Sequence, residues 1–289
     1  MKSTTFNWAK ARRIMSKTLC SLMIATAIVS FSSCGGDDDE ENNGGTTPTP
    51  NPNPTVVTQT YTVNGVSFKM VAVEAGSFTM GTDDTSYFYY QYCSPAHQVT
   101  LTNDYWIGET EVTQELWQAV MGSNPSYFQG TNLPVETVSW NEVQVFIQKL
   151  NQMTGKTFRL PTEAEWEFAA RGGNQSHNYL YSGSNDIYAV AWYIDNSNQT
   201  THPVKRKAAN ELGLYDMTGN VWEWVNDWWS YYTSNSQTNP QGPTTGSSRV
   251  FRGGSWGNYS FYCRVDYRYF ITHGSRYSNI GFRLACSSN

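Results

Sequence analysis

The sequence predicts one α+β domain with little regular secondary structure. Three observations point to it: short alternating stretches at the start of the domain, three capped helices in its middle, and a long second half without sustained periodicity. Roughly 230 residues from Tyr61 onward are enough for a single large core. The chain has 11 Trp and 19 Tyr, well above ordinary usage, so aromatic packing should hold this domain together.

The strand signals lie at the start of the domain. Apolar and polar residues alternate over residues 66–73, and the short connection 74–76 leads to residues 77–81, which predicts a hairpin. Residues 98–101 and 105–107 are predicted as further short strands.

The helix signals follow the strands. Thr113 is placed to cap a helix over residues 114–121, whose apolar residues fall on one face. Two more helices are predicted from capping boxes, in which a hydroxyl residue is followed three positions later by Glu. These pairs are Ser139 with Glu142 and Thr162 with Glu165. Gly155 predicts the end of the second helix, and Gly172 and Gly173 predict the end of the third.

The first 33 residues are typical of an export signal. Basic residues without any acid precede a short apolar run over residues 19–31, and Ser32 and Ser33 lead to Cys34. We therefore predict a lipoprotein signal peptide over residues 1–33 and lipidation of Cys34, which would anchor the chain to a lipid membrane. An ordinary cleaved signal with an incidental cysteine is the alternative.

Residues 34–60 are predicted to be a disordered tether, because their acidic and Pro-rich pieces offer almost no apolar surface. The acids after Cys34 resemble the surface-export signal of Bacteroides-type lipoproteins, although a merely solvating linker has the same composition. An outer-membrane, cell-surface location is expected, with a periplasm-facing one as the alternative. Residues 61–289 then form the folded domain.

The charge and the spacing of cysteines and histidines argue against nucleic-acid binding, a disulfide framework and a histidine-based zinc site. A net charge of −5 without a basic stripe argues against nucleic acid as a partner. Outside the targeting segment only Cys93, Cys263 and Cys286 remain, which is no disulfide framework, although one bridge is possible. The four histidines have no zinc-ligand spacing.

Seven sequence blocks then occur in a fixed order. They are residues 71–81, 111–113, 134–140, 159–167, 210–224, 252–255 and 280–283. In this order they resemble the formylglycine-generating, or sulfatase-modifying factor, family over about residues 68–285. The resemblance implies a single-domain α+β fold related to C-type lectins.

The resemblance also implies which residues would carry catalysis. Enzymes of the family oxidise a substrate cysteine to formylglycine at Cu(I), which two cysteine thiolates hold because soft ligands select this ion. The family pattern places the thiolates at Asn258 and Cys263 of this chain. An amide cannot replace a thiolate, so copper and catalysis are not expected. If the chain is an enzyme nonetheless, Cys263 and Ser255 are the catalytic candidates.

A calcium site is a second implication of the resemblance. The family binds Ca²⁺ through a segment that matches Asp216, Gly219, Val221 and Glu223, the middle two through their carbonyls. Hard oxygen ligands in an irregular loop suit this ion. The alternative is that Asp216 and Glu223 only cap turns.

Residues 257–279 have an unusual composition. They contain no Glu, Lys, Gln, Met or Trp, and each residue present can be encoded by a codon ending in C. Adenine-directed mutagenesis of AAC codons leaves this pattern. The segment resembles the variable region of proteins diversified by retroelements, which use this lectin-like fold. A tyrosine-rich but invariant loop is the alternative.

Tyrosine supplies large contact area at little entropy cost, and Asn, Ser and Gly adapt hydrogen bonds, so the segment is predicted to bind a ligand. The predicted ligand-binding residues are Asn258, Tyr259, Phe261, Tyr262, Tyr267, Tyr269, Phe270, His273 and Tyr277. We interpret Arg264, Arg268 and Arg276 as scaffold residues.

Three functions are compatible with these patterns. The first is a surface-anchored module that binds an unknown protein or glycan. The second is a copper-dependent oxidase that acts on a sulfatase cysteine. The third is a structural envelope or motility lipoprotein without chemistry.

Overall fold

The computed structural model describes residues 56–86 and 90–288. The predicted signal peptide, Cys34 and nearly all of the tether therefore lie outside the described residues. Within them the α+β prediction is confirmed, since short strands in three sheets are combined with few helices.

The strands are short and distributed along the whole domain. In chain order they are β1 (Thr58–Val63), β2 (Val66–Val73), β3 (Gly76–Met80), β4 (His97–Leu101), β5 (Tyr105–Gly108), β6 (Phe158–Arg159), β7 (Trp222–Trp228), β8 (Gln237–Thr238), β9 (Ser248–Arg252), β10 (Arg268–Thr272), β11 (Ile280–Phe282) and β12 (Ala285–Ser287). The helices are α1 (Gln114–Met121), α2 (Trp140–Thr154), α3 (Glu163–Ala170) and α4 (Ile187–Val190).

Three sheets organise these strands. The largest has the order β1-β2-β5-β12-β6, so the last strand of the chain lies inside a sheet that the first strands begin. The second has the order β10-β9-β7-β11, and the third β3-β4-β8. Pairing is antiparallel except between β7 and β11 and between β4 and β8.

One predicted boundary is wrong by a few residues. The prediction assigns Thr58, Gln59 and Thr60 to the tether, but they form the first half of β1 and pair with Val71, Met70 and Lys69, respectively. These residues are polar and exposed, so their place in the sheet rests on backbone pairing rather than on an apolar pattern.

The three predicted helix starts are confirmed. The Thr113 side chain accepts a hydrogen bond from the Leu116 N–H, and both capping boxes form as predicted. Gly122 and Gly155 end α1 and α2 in the left-handed conformation that glycine adopts without strain. Within residues 56–86 and 90–288, no helix has the length and apolar character needed to cross a membrane.

The four-stranded sheet has two chemically different faces. On one face Phe251 lies opposite Tyr269 on β10 and Trp224 on β7, while Trp222 lies opposite Ile280. Phe146 of α2 packs on Phe282, which lies beside Trp224 on this face. The Trp224 indole N–H donates to the Val138 carbonyl. The rest of the aromatic face is left for other contacts.

The opposite face is ionic and buried. Arg252 and Arg268 are neighbours across β9 and β10, and Glu163 of α3 lies within ion-pair distance of both. On the same face Glu223 accepts from Arg283 and from the Trp166 indole, each at 2.6 Å. Buried charges are tolerated only when they are paired in this way, so this layer fixes the sheet against α3.

Candidate ligand-binding site

An apolar groove of about 270 Å³ opens on the aromatic face of the four-stranded sheet. Its floor consists of side chains from all four strands: Trp222, Phe251, Tyr269, Ile271 and Ile280. Alternation along the strands brings these residues to one face, since every second residue points the same way. The groove is thus built on a rigid sheet rather than on loops.

The groove walls come from the segment with the unusual composition. They are formed by Asn258, Tyr262, Tyr277 and Asn279. No charged residue is among the described residues that line the groove. The groove therefore offers a ligand aromatic and aliphatic surfaces, tyrosine hydroxyls and side-chain amides, but no charge.

The two asparagines share one hydroxyl. The buried Ser255 hydroxyl donates to Asn258 Oδ1 and accepts from Asn279 Nδ2 at 3.2 Å. Their backbones are also fixed, because the Asn258 carbonyl accepts from Ile194 N–H and the Asn279 carbonyl from Trp222 N–H. Both amide side chains are thus held in place before any ligand arrives.

Cys263 lies beneath this wall and not in the groove. It ends a 3₁₀ turn over Ser260–Cys263 and is completely buried, and burial raises the pKa of its thiol to about 12. Gly254 has a φ of +75°, and a Cβ there would lie 2.5 Å from Cys263 Sγ. The thiol is therefore tightly enclosed and protonated at neutral pH.

These residues do not fit a Cu(I) site. Cu(I) needs soft anionic donors. One of the two thiolate positions holds Asn258, whose Oδ1 is already bonded to Ser255, so Cys263 supplies the single soft donor at these two positions.

Most predicted ligand-binding residues are at the surface, but in different places. Asn258, Tyr262, Tyr269 and Tyr277 line the groove. Tyr259 and Phe261 stack on each other with ring centroids 6.2 Å apart. They are outside the lining of the groove.

Two other predicted residues belong to neighbouring surfaces. Phe270 points to the other side of β10, where it stacks on Trp229 at 3.9 Å. His273 contacts the Trp228 ring and has Asn141 Oδ1 at 3.1 Å.

The prediction for Tyr267 is wrong. Its side chain is completely buried, and its ring packs against Tyr262 at 5.0 Å and against Trp222 at 6.1 Å. The reason is its position just before β10, where its N–H bonds to the Arg264 carbonyl in a turn that directs the ring inward. Tyr267 supports the groove from below.

The three arginines are paired as scaffold residues would be. Arg268 is buried against Glu163, Arg264 binds Asp266 and Asp84, and Arg276 binds Glu142 at 2.7 Å. These pairs connect the segment to the rest of the domain at three points.

Sequence reasoning missed five groove residues. Trp222, Phe251, Ile271, Asn279 and Ile280 line it but were not predicted. Ile271 alternates with Tyr269 in the same strand, a signal that could have placed it. Trp222 and Phe251 come from other blocks of the sequence, and only the sheet order brings them together.

Two of the predicted calcium residues, Asp216 and Glu223, belong to a buried acidic cluster. Asp216 and Gly219 have positive φ values of 57° and 81°, and the turn directs the Asp216 carboxylate toward Lys205 N–H at 2.8 Å. Burial raises the pKa of Asp216 to about 6, and the nearby charge of Glu223 adds to the rise. Glu223 itself is held by Arg283.

A third acid completes this cluster. Glu111 is buried, and its Oε1 has no hydrogen-bond partner in the described part of the chain. Burial and the charges of Asp216 and Glu223 raise the pKa of Glu111 well above its usual range. Across residues 56–86 and 90–288, no three His, Cys, Asp or Glu form a ready metal-binding group.

The three cysteines of the described residues are free and buried, so the possible disulfide does not form.

Comparison with known proteins gives a consistent result. The profile of the sulfatase-modifying factor enzyme 1-like domain matches residues 58–288. Chaperone protein LppX of Paenibacillus barcinonensis is 35% identical over 244 residues, covering 66% of this chain and 79% of that protein. Formylglycine-generating enzyme of Mus musculus is 38% identical over 207 residues and covers 65% of this chain. The match spans only 53% of the mouse enzyme.

A solved structure supports the same family and fold. Treponema denticola variable protein 1 superposes with a TM-score of 0.75 and 38% identity, covering 81% of this chain and 100% of that one. The resemblance stated from seven sequence blocks is thereby confirmed, together with the mixed, lectin-like fold. This chain belongs to the sulfatase-modifying factor enzyme 1-like domain family.

Proposed function

We propose that this protein is a ligand-binding module that has lost the chemistry of its family and presents the groove to a partner. One observation carries the proposal: an amide, Asn258, stands where a second thiolate would be, and it lines an uncharged aromatic groove. A preformed concave apolar site with a few fixed polar groups is what a binding site requires. The relative named as a chaperone is consistent with a binding role.

Binding through the groove is tested with variants of its exposed wall. The chain is screened against arrays of peptides and glycans as wild type and as the Tyr269→Ala/Tyr277→Ala double variant. We expect at least one ligand whose signal the double variant loses. Tyr188→Ala, an exposed tyrosine on α4, is the matched control. If every ligand binds the double variant as well as wild type, the groove is not the binding site.

We further propose that the module is tethered to the outer membrane. Support comes from the export signal, from Cys34 directly after it, and from an acidic, Pro-rich stretch of suitable composition for a spacer. Metabolic labelling with a fatty acid should mark the wild type and not Cys34→Ser. Protease treatment of intact cells should release the domain if it faces outward, and spare it if it faces the periplasm.

Diversification of residues 257–279 is the finer part of the proposal. Its support is the composition of the segment and the likeness to a structure called a variable protein. The neighbouring DNA should hold a near-copy of these codons that differs at adenines, close to a reverse transcriptase gene. A genome in which this copy is absent would leave an invariant binding loop.

The enzymatic alternative has its own test. A cysteine-containing sulfatase peptide is incubated with the copper-treated chain, and the loss of mass on conversion of cysteine to formylglycine is followed. We expect no conversion, because Asn258 stands at one of the two positions where the family has a copper-binding thiolate. Turnover would make the protein an oxidase and overturn the proposed function.

We also propose a structural Ca²⁺ ion held by Asp216, Glu223 and the carbonyls of Gly219 and Val221. The buried, mutually repelling acids at Glu111, Asp216 and Glu223 support it, because a cation would offset their charge. Calorimetric titration of the chelator-treated chain tests it, and absence of a binding heat together with an unchanged melting temperature would refute it.

A further inference from the structure

Besides the tyrosine hydroxyls and the Trp222 indole, the groove lining carries a hydrogen-bonding pair formed by the side chains of Asn258 and Asn279. Each amide uses one of its two polar atoms in a hydrogen bond with the shared Ser255 hydroxyl. Asn258 Nδ2 and Asn279 Oδ1 have no partner within the described residues and belong to side chains that line the groove. The groove therefore presents one donor and one acceptor side by side.

This pairing does not depend on how the two amides are oriented. A hydroxyl has one proton, so Ser255 donates to one asparagine and accepts from the other. If both amides were turned over, the roles of the two asparagines would exchange. One amide would still offer an N–H donor to the groove, and the other a carbonyl acceptor.

From this pair we infer that the groove binds a protein segment by one apolar side chain and the adjoining peptide amide, an inference that rests on the proposed function. A peptide unit has one acceptor and one donor, so it complements the asparagine pair. The apolar side chain next to it would pack on Trp222, Phe251 and Ile280. The segment is uncharged at this point, because no lining residue could pair with a charge.

The same features disfavour a sugar as the occupant. An N-acetylated sugar also carries an amide, but its ring bears several hydroxyl groups. The apolar floor residues Phe251, Ile271 and Ile280 offer those hydroxyls no hydrogen-bond partner, so hydroxyls buried against them would be left unsatisfied. A peptide with an aromatic or aliphatic side chain has no such excess of polar groups.

The test uses small probes of each chemistry on the full exported chain, followed by saturation-transfer NMR. N-acetyl-L-phenylalaninamide supplies an apolar side chain between two amides, N-acetylglycinamide lacks the side chain, and N-acetylglucosamine is the sugar. We expect saturable binding of the first and little of the other two. Asn258→Ala and Asn279→Ala should each weaken it about tenfold, since each removes one hydrogen bond and leaves its partner unsatisfied.

Controls separate loss of the pair from loss of the fold. Tyr188→Ala should bind the probe as wild type does, and thermal melting should show that each Asn variant is folded. Asn258→Ala alone is decisive if Asn279→Ala fails to fold, because Asn258 is in a turn and half-exposed.

Three outcomes overturn the inference: no saturable binding of the phenylalanine probe, equal binding in a folded Asn258→Ala variant, or stronger binding of the sugar. In the last case the groove still binds a ligand, so the proposed function stands while the inference fails. The array screen with the Tyr269→Ala/Tyr277→Ala variant judges the proposed function independently.

Discussion

The guanidinium of Arg268 binds both carboxylate oxygens of Glu163, each at 2.6 Å, inside the domain. Arg268 begins β10, and the next residue, Tyr269, lies on the opposite face in the groove. A buried two-point ion pair thus holds the strand that carries exposed aromatic side chains. Changes on the exposed face need not disturb this support.

Removing one partner of this pair should destabilise the domain strongly. Arg268→Met removes the two-point partner of the buried Glu163 and leaves it only the longer contact with Arg252. Breaking a buried pair costs about 3–5 kcal/mol. We expect a fall in melting temperature of about 2–4 °C per kcal/mol for a domain of this size. Arg276→Met, which breaks the exposed pair with Glu142, should cost far less. Equal losses in the two variants would contradict the scaffold role of Arg268.

Tyr267 and Tyr269 should respond in opposite ways to truncation. Tyr267→Ala opens a cavity under Trp222 and should cost about 3–5 kcal/mol, as for other large buried aromatic residues. Tyr269→Ala removes a side chain that is 39% exposed and should reduce ligand binding while leaving stability nearly unchanged. Denaturant unfolding and the array screen measure the two effects. A stable Tyr267→Ala variant would show that the ring is not a support.

Restoring the missing sulfur should restore copper binding. In Asn258→Cys the new thiol stands at the family position for the second thiolate, and together with Cys263 it supplies two soft donors. We expect tight uptake of one Cu(I) in competition with a chromophoric chelator, and weak uptake by wild type and by the control Asn258→Ser. Equal uptake by wild type would mean that another thiol binds the ion.

The free energy of unfolding of the domain should depend on pH because of Asp227. Burial raises its pKa to about 8, and the charge of Glu163 adds to the rise. Between its unfolded value of about 4 and this value the folded state holds a proton that the unfolded state releases. The contribution of Asp227 to stability is therefore fully present below pH 4 and is lost as the pH rises to about 8.

The measurement compares unfolding free energies of wild type and Asp227→Asn across this range. Their difference should change by up to about 1.4 kcal/mol per pH unit between pH 4 and 8 and level off above. The exposed Glu115→Gln variant is the control, and its difference from wild type should lack this profile. A flat difference for Asp227→Asn would show that the carboxyl is already ionised in the folded domain.

Calcium should stabilise the domain through Asp216. Ion binding to the folded state alone raises the melting temperature as the free ion concentration exceeds its dissociation constant. We expect this rise for wild type and for Asp195→Ala, an exposed acid outside the cluster, and its loss in Asp216→Ala. A rise of the same size in Asp216→Ala would place the ion elsewhere.

Local sequence signals predict the secondary structure of this domain better than they predict the residues of its candidate site. The caps at Thr113, Ser139 and Thr162 were read correctly because a helix start depends on residues within one turn. The groove depends instead on β7, β9, β10 and β11 being neighbours in one sheet, which no local pattern states. Trp222 and Phe251 were therefore missed.

Composition also cannot show which residues of a segment are buried and which are exposed. Tyr267 and Tyr269 are the same residue type two positions apart, yet one is buried and the other displayed. Alternation begins only at Arg268, where β10 begins, so Tyr267 follows the geometry of the preceding turn. The residue at which β10 begins, rather than the residue type, decides which of these tyrosines is available to a ligand.

The position of β12 has a consequence for any set of sequence variants. This last strand lies between β5 and β6, after residues 257–279 have been synthesised, so a chain that terminated inside the segment would lack an internal strand. No stop codon ends in C, and a pool of codons that all end in C therefore contains only full-length chains. Each of them would reach the residues that complete the largest sheet, so no variant would lose β12 through early termination.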